Sequence, residues 1–291
     1  MPEERILVTG ATGFIGRSLL RRLDEHGYSA RAYSGRINDP LQLRQELNGI
    51  DTVYHLASAE ARGRRRRLHH VDVEGTERLI EESRRAGVQH LIVMSRLRAD
   101  PNSLYPLLRA KGETERLVRR SGLPYTIIRS ATAFGLYDRF LNVIAGLAAW
   151  SWPLLVLPAG GKTPFQPLWV EDLARCLVAV LARTDLRNEI VEIAGEERIR
   201  YRELAQLVIR TGGMRRIALP LDLRILRPVN RVLMSWWLYP PVTPFLMDRF
   251  SIPDVAPVDS VLRTFGFRPG RIVDHISYLR RPGLWRYLFR L

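Results

Sequence analysis

The 291-residue chain has one cysteine, Cys176, so no internal disulfide can form and the fold must be held by burial, as expected in a reducing compartment. Lysine is almost missing: Lys111 and Lys162 are the only two, and arginine supplies nearly all of a formal net charge of +15. Long hydrophobic runs are also lacking. The most apolar stretch, Leu141 to Pro158, is short and broken by Asn142 and Pro153, which predicts a buried helix and strand instead of a membrane span. The N-terminal residues lack the charged, apolar and small-residue succession of a secretory signal, so a cytoplasmic setting is expected. His69 and His70 have no companion Cys, Asp or Glu at metal-ligand spacing, and no metal is assigned. A zinc signature, a nucleophile elbow, a Walker loop, internal repeats and low-complexity linkers are all absent.

The length suits one nucleotide-binding domain with a smaller lobe. Boundaries are expected at 1–134 for the core and 135–291 for the lobe, with about 162–195 returning to complete the core. The positive charge fits acidic partners: anionic lipid, an acidic protein surface, nucleic acid or a phosphorylated ligand. A general preference for arginine explains it equally well. Nucleic acid is the weakest of these, since no recognition helix or stacking platform is identifiable.

What the sequence does contain is Val8 to Gly16, VTGATGFIG. Arg5-Ile6-Leu7-Val8 reads as a buried strand, and Phe14, Ile15, Leu19, Leu20 and Leu23 recur at helical spacing. Gly10, Gly13 and Gly16 therefore lie at a strand-to-helix turn. The first permits the tight turn, the second lets backbone amides approach a pyrophosphate, and the third allows close packing of the helix. The phosphate would face the helix N-terminus, where N–H groups and the macrodipole favour an anion.

The alternation continues. Ala30 to Ser34 reads as a strand, Asp39-Pro40 as the cap and first position of a helix, and Thr52 to Ala57 as a buried strand. Arg62 to Arg67 reads as a basic loop, Val71 to Ala86 as a helix, His90 to Ser95 as a strand, Pro106 to Ser121 as a helix and Tyr125 to Arg129 as a strand. This predicts an α/β fold: a Rossmann-type doubly wound parallel sheet with a small C-terminal α+β lobe. In the lobe a helix is expected to about Ala182, a strand from Glu189 to Gly195, a helix from Tyr201 to Thr211, a strand from Ile217 to Pro220 and a helix from Asp222 to about Leu238.

Several motifs carry a resemblance. They are the Gly10-x-x-Gly13-x-x-Gly16 loop, Asp51 to Ala57, Lys111-Gly112-Glu113-Thr114-Glu115, Tyr125 to Arg129, and Gly161 to Ala174. Together they resemble the atypical and extended branch of the short-chain dehydrogenase/reductase superfamily, and within it the nucleotide-binding accessory subunits of respiratory complex I with their bacterial relatives. The resemblance implies a bound NAD(P) against Thr9, Gly10, Thr12, Gly13, Phe14, Ile15, Gly16, Leu56, Ala57 and Lys111. It also implies a catalytic lysine at Lys111 and a substrate-orienting hydroxyl at Ser95.

Two departures stand out. Ala30 to Pro40 fuses the beginning and end of a longer family segment, so an edge strand and its helix are expected to be missing, and Arg36 replaces a family aspartate. With Ser34 beside it, Arg36 favours the 2′-phosphate of NADP, with NAD as the alternative. The second departure concerns the family's Tyr-x-x-x-Lys pair, in which the lysine lowers the tyrosine pKa from the same helix face. Four residues before Lys111 stands Leu107, which cannot move a proton. Tyr105 lies about 200° away around a helix and before Pro106, which places it ahead of the helix.

His55 reads as a hydrogen-bonded core residue and Asp172 as a helix cap. Arg224 to Phe245, with Trp236, Trp237 and Tyr239, and Leu284 to Leu291 mix arginine with aromatics. That composition suits a membrane interface or a hydrophobic protein surface, and equally suits packing of the small lobe. Two functions follow. One is an NADP(H)-binding protein whose nucleotide is structural or regulatory, within or assembling a membrane-associated complex and peripheral to the membrane. The other is an oxidoreductase, epimerase or dehydratase on a small molecule with a substitute proton donor. The oligomeric state is left open.

Overall fold

The computed structural model describes residues 5–234, 242–281 and 283–284. Strand β1 (Ile6–Thr9) is buried along its length and turns at Gly10 into α1 (Phe14–Glu25). β2 (Ala30–Ala32) follows, two residues shorter than its sequence suggests. Asp39 then caps α2 (Pro40–Leu47), its carboxylate accepting from the N–H groups of Leu41 and Gln42, as the Asp-Pro pair predicts. β3 (Thr52–His55) is wholly buried.

The next segment departs from expectation. Arg65, Arg66 and Arg67 do not lie in a loop: α3 (Arg65–Leu68) runs through a π-helical turn, His69–Glu74, into α4 (Gly75–Ala86). Buried Leu68 anchors the added turn while the arginines stay in solvent. The extra residue of a π turn breaks the regular ladder, and the freed Asp72 carbonyl accepts from the hydroxyls of Thr76 and Thr114.

β4 (His90–Arg96), α5 (Pro106–Arg119) and β5 (Tyr125–Ser130) complete this run as read, with Tyr105 at the cap of α5 and Pro106 at its first position. Then come β6 (Ala133–Phe134), α6 (Leu141–Trp150), β7 (Leu154–Pro158), β8 (Pro164–Phe165), β9 (Leu168–Trp169), α7 (Val170–Ala179) and β10 (Glu189–Ile193). Asp172 lies within the first turn of α7, so it is not the cap residue. The remaining principal elements are β11 (Ile199–Arg200), α8 (Tyr201–Thr211), β12 (Ile217–Leu221), α9 (Leu223–Met234) and α10 (Pro244–Arg249). The expected continuation of α9 through Trp236 and Trp237 lies outside the described residues, as does Trp285 to Leu291.

Two compact units result. The first holds residues up to Glu60, Arg64–Ser130 and Val170–Ile193. Its six-stranded sheet is parallel throughout, in the order β10-β5-β4-β3-β1-β2. β2 is the edge, and only α2 separates it from β3, so the missing edge strand and helix are a property of the fold. Leu7, Val53, Leu91, Val93 and Ile127 bury one sheet face against Leu43, Leu47, Leu79, Ile80 and Val118 from α2, α4 and α5. On the other face α1 and α7 pack together, with the Ser18 hydroxyl donating to Glu171 at 3.0 Å and the Tyr54 phenol to the Leu177 carbonyl at 2.8 Å.

The second unit, Ala61–Gly63, Ala131–Trp169 and the residues from Ala194 on, is built around Phe140, Phe165, Tyr201 and Phe250. α6 packs on α8. Buried Asp138 organises the entry to α6 by accepting from the Phe140 N–H at 2.7 Å and the Tyr278 hydroxyl at 2.8 Å.

Candidate functional site

The glycine loop has the geometry expected of a phosphate cradle. Gly10 has φ +70°, which favours glycine, and a Cβ there would lie 2.7 Å from the Ala57 nitrogen and the Leu56 carbonyl carbon. Leu56 and Ala57 thus close over the loop from β3, with the Leu56 N–H bonded to the Thr9 carbonyl at 3.1 Å. A Cβ on Gly16 would meet the Ala11 carbonyl oxygen at 2.7 Å, so that glycine lets α1 close on the loop itself rather than on the strand. Gly13 is the exposed N-cap of α1 and no side chain caps the helix. There is no acid in its first turn. The N–H groups of Phe14 and Ile15, which have no intrahelical acceptor by position, are left for an anion, and Thr12 is exposed beside them.

In the turn after β2, where the resemblance would put the adenine end, Ser34 and Arg36 are both exposed. The turn is fixed from beneath: the Tyr33 hydroxyl donates to the Arg36 carbonyl at 2.9 Å, and the Asp39 N–H donates to the same carbonyl at 2.9 Å.

Lys111 presents the opposite character. It is buried on α5, and its Nζ lies 2.8 Å from Oδ1 of Asp72, which is also buried. The carboxylate accepts in addition from the Ser58 hydroxyl at 2.7 Å and the Ala59 N–H at 2.8 Å. Four residues before the lysine, Leu107 is buried and apolar. Tyr105 is half-buried at the cap position, off the face that carries Lys111. Ser95 belongs to a separate cluster: its hydroxyl donates to Glu115 at 2.5 Å, and Arg129 clamps that carboxylate with bonds of 2.9 and 2.7 Å. Both residues assigned to chemistry by resemblance are thus paired with a buried carboxylate, Lys111 with Asp72 and Ser95 with Glu115.

A second network escaped the sequence reading. His55 is fully buried, its Nδ1 2.8 Å from the Thr9 hydroxyl and its Nε2 2.9 Å from the Thr76 hydroxyl. Thr76 donates its only proton to the Asp72 carbonyl, so Nε2 must carry the imidazole proton and Nδ1 must accept from Thr9. Burial, reinforced by the nearby Lys111 charge and opposed by Asp72, lowers the His55 pKa to about 4. The ring is neutral at neutral pH and fully bonded, a structural residue instead of a base. Thr9 in turn faces inward with its hydroxyl, leaving its backbone at the loop. Asp72, Thr76 and Thr114 are the residues missed. Their traces in the sequence were the polar pair inside Val71-Asp72-Val73-Glu74-Gly75-Thr76 and the Thr114 of the Lys111 to Glu115 motif.

Residues 6–194 match the family model described as the NAD dependent epimerase/dehydratase family, well over half of the chain. The chain belongs to that family. Among curated relatives of this family member, the mitochondrial NADH-ubiquinone oxidoreductase 40 kDa subunit of Neurospora crassa is 25% identical over 92% of this chain and 76% of its own. Photosystem II assembly factor Ycf39 of Synechocystis is 25% identical over 95% and 90%. The resemblance to complex I accessory subunits within the short-chain dehydrogenase/reductase superfamily thus holds. The solved structure of MoeE5 in complex with UDP-glucose and NAD superposes with a TM-score of 0.75 at 21% identity, covering 95% of this chain and 97% of that one, which supports the Rossmann fold. The open glycine cradle and uncapped α1 fit the dinucleotide that the family name implies.

Proposed function

We propose that the protein binds NADP(H) as a structural or regulatory ligand, within or in assembling a membrane-associated complex, and does not turn over a substrate. The observation that carries this reading is the buried Lys111–Asp72 pair with Leu107 at the proton-donor position. A nicotinamide supplies or accepts a hydride, and a carbonyl acceptor then requires a proton from a positioned acid. Here leucine holds that position, and the lysine that would tune a tyrosine is matched by a carboxylate at 2.8 Å.

Binding has its own support. Gly10, Gly13 and the first turn of α1 would hold the pyrophosphate, and exposed Arg36 with Ser34 would receive a 2′-phosphate where no carboxylate stands at the end of β2. The relatives add a setting, since they include a subunit of NADH-ubiquinone oxidoreductase and a photosystem II assembly factor.

The test is to release and identify the nucleotide that co-purifies, titrate NADPH and NADH side by side, and then follow bound NADPH fluorescence with a panel of carbonyl compounds. Tight NADPH retention without decay is the expected result. Steady NADPH oxidation would overturn the non-catalytic reading and favour an oxidoreductase with a substitute donor, and tighter NADH binding would overturn the NADP assignment.

A further inference from the structure

The second unit carries an apolar surface that its own core does not absorb. In the parallel pair of β7 and β12, Leu154 is in register with Ile217 and Val156 with Leu219. Register partners project to the same face of a sheet, and all four side chains are exposed, Ile217 to 65%. The intervening Leu155 and Leu157 point the other way, into the aromatic core. Parallel strands ordinarily have both faces covered, whereas this pair leaves Leu, Val, Ile and Leu exposed on one face. Trp150 and Trp152, just ahead of β7, are 68% and 76% exposed.

The same division recurs in α9, which follows β12 after Asp222 alone. Leu223 and Leu226 pack against the core, while Ile225, Val229 and Val232, spaced four and three apart along one stripe, are exposed, Ile225 to 56%. Arg224 and Arg231 flank that stripe in solvent, and Arg227, also exposed, is paired with Asp248 at 3.1 Å. Charge is in positive excess: residues 203–248 hold six arginines against three acids, Glu203, Asp222 and Asp248, and residues 141–158 hold no charged residue.

We infer that the outer face of β7 and β12, with Trp150, Trp152 and the outward stripe of α9, binds the surface of an anionic lipid bilayer. Indoles and branched aliphatic side chains fit the boundary between headgroups and acyl chains, and guanidinium groups pair with lipid phosphates just above it. A protein partner would need an acidic complement as well as an apolar one; an anionic bilayer supplies both. A short amphipathic helix of this kind lies in the interface plane, and no described helix is long and apolar enough to cross. The inference deepens the membrane-associated reading by naming its partner. It rests on residues of the second unit and needs no bound nucleotide.

The experiment is co-sedimentation of the full chain with phosphatidylcholine vesicles, with and without phosphatidylglycerol, together with quenching of tryptophan emission by brominated lipid. Binding confined to the phosphatidylglycerol vesicles, weakened by salt and accompanied by quenching, is expected. The exposed-site variants Ile225→Gln/Val229→Gln and Trp152→Ser/Ile217→Ser should each lose at least about tenfold in partitioning while keeping the parent's urea midpoint and NADPH titration. Failure of the parent to bind phosphatidylglycerol vesicles, or equal binding by the variants, overturns the inference. Nucleotide binding is read in the same samples, so loss of vesicle binding alone leaves the proposed nucleotide function standing, and loss of nucleotide binding alone leaves the lipid surface standing.

Discussion

After the Gly10 to Gly13 turn the first N–H groups of α1, those of Phe14 and Ile15, are left open with space before them, whereas at Lys111 the ammonium group is already paired with the carboxylate of Asp72. The contrast separates two demands on a nucleotide site. Phosphate binding depends on backbone geometry, which three glycines and a helix start preserve. Acid–base chemistry depends on a titratable side chain placed to exchange a proton, and here a buried leucine stands four residues before Lys111 while the lysine itself is paired with a buried carboxylate.

The largest effect should come from breaking the closed end. Asp72→Ala leaves a buried ammonium without its counter-charge and is expected to cost about 3–5 kcal/mol in urea unfolding. Asp72→Leu combined with Lys111→Met should recover most of that loss. If Asp72→Ala proves neutral, the pair is solvated and the contrast between the two ends fails.

Closing the open end should be next. Gly13→Asp places a carboxylate where the phosphate would sit and also supplies a good N-cap to α1. NADPH affinity should fall at least about a hundredfold, roughly 2.7 kcal/mol, while the urea midpoint stays level or rises slightly. Unchanged affinity would place the nucleotide elsewhere.

The buried histidines predict a pH response of defined sign. His55 and His90 are both lowered to about 4, chiefly by burial, with the charges of Lys111 and Arg187 respectively adding to the effect. An unfolded chain binds protons on these rings from the ordinary value of 6.5 downward, and the folded chain does not until about 4. Their stabilising contribution is therefore complete above pH 6.5 and declines as pH falls toward 4, by about 1.4 kcal/mol per pH unit for each histidine. Urea midpoints across that range, with imidazole NMR titrations, check both the slope and its assignment. The smallest effect is expected at the adenine end: Arg36→Ala should weaken NADPH by about fivefold, leave NADH unchanged and leave stability within about 0.5 kcal/mol.

The sequence was informative wherever the signal was local. The Gly10 to Gly16 loop, the Asp39-Pro40 cap, the α5 start at Pro106, the shortened passage from β2 to α2 and the leucine at position 107 all depend on residues within a turn or two of one another. What could not be read was pairing across the chain. Asp72 meets Lys111 from 39 positions away, and β7 meets β12 from 63 positions away, so neither contact leaves a periodicity. The arginine run from Arg65 to Arg67 was misread for a related reason: its composition is that of a solvated loop, and only the burial of Leu68 reveals the helix. The mixture of arginine and aromatics from Arg224 to Phe245, which suits a membrane interface, a protein surface or lobe packing equally, covers most of α9 but neither β7 nor β12.

The chain of bonds through His55 has a practical use. Its Nδ1 is one hydrogen bond from Thr9, the last residue of the strand that feeds the glycine loop, and its Nε2 reaches the Asp72 carbonyl through Thr76. A ¹⁵N-labelled imidazole at this position is thus a reporter built in by the fold. Two nitrogen resonances in one ring would register a disturbance at the phosphate loop and one at the lysine pair separately, without any added probe.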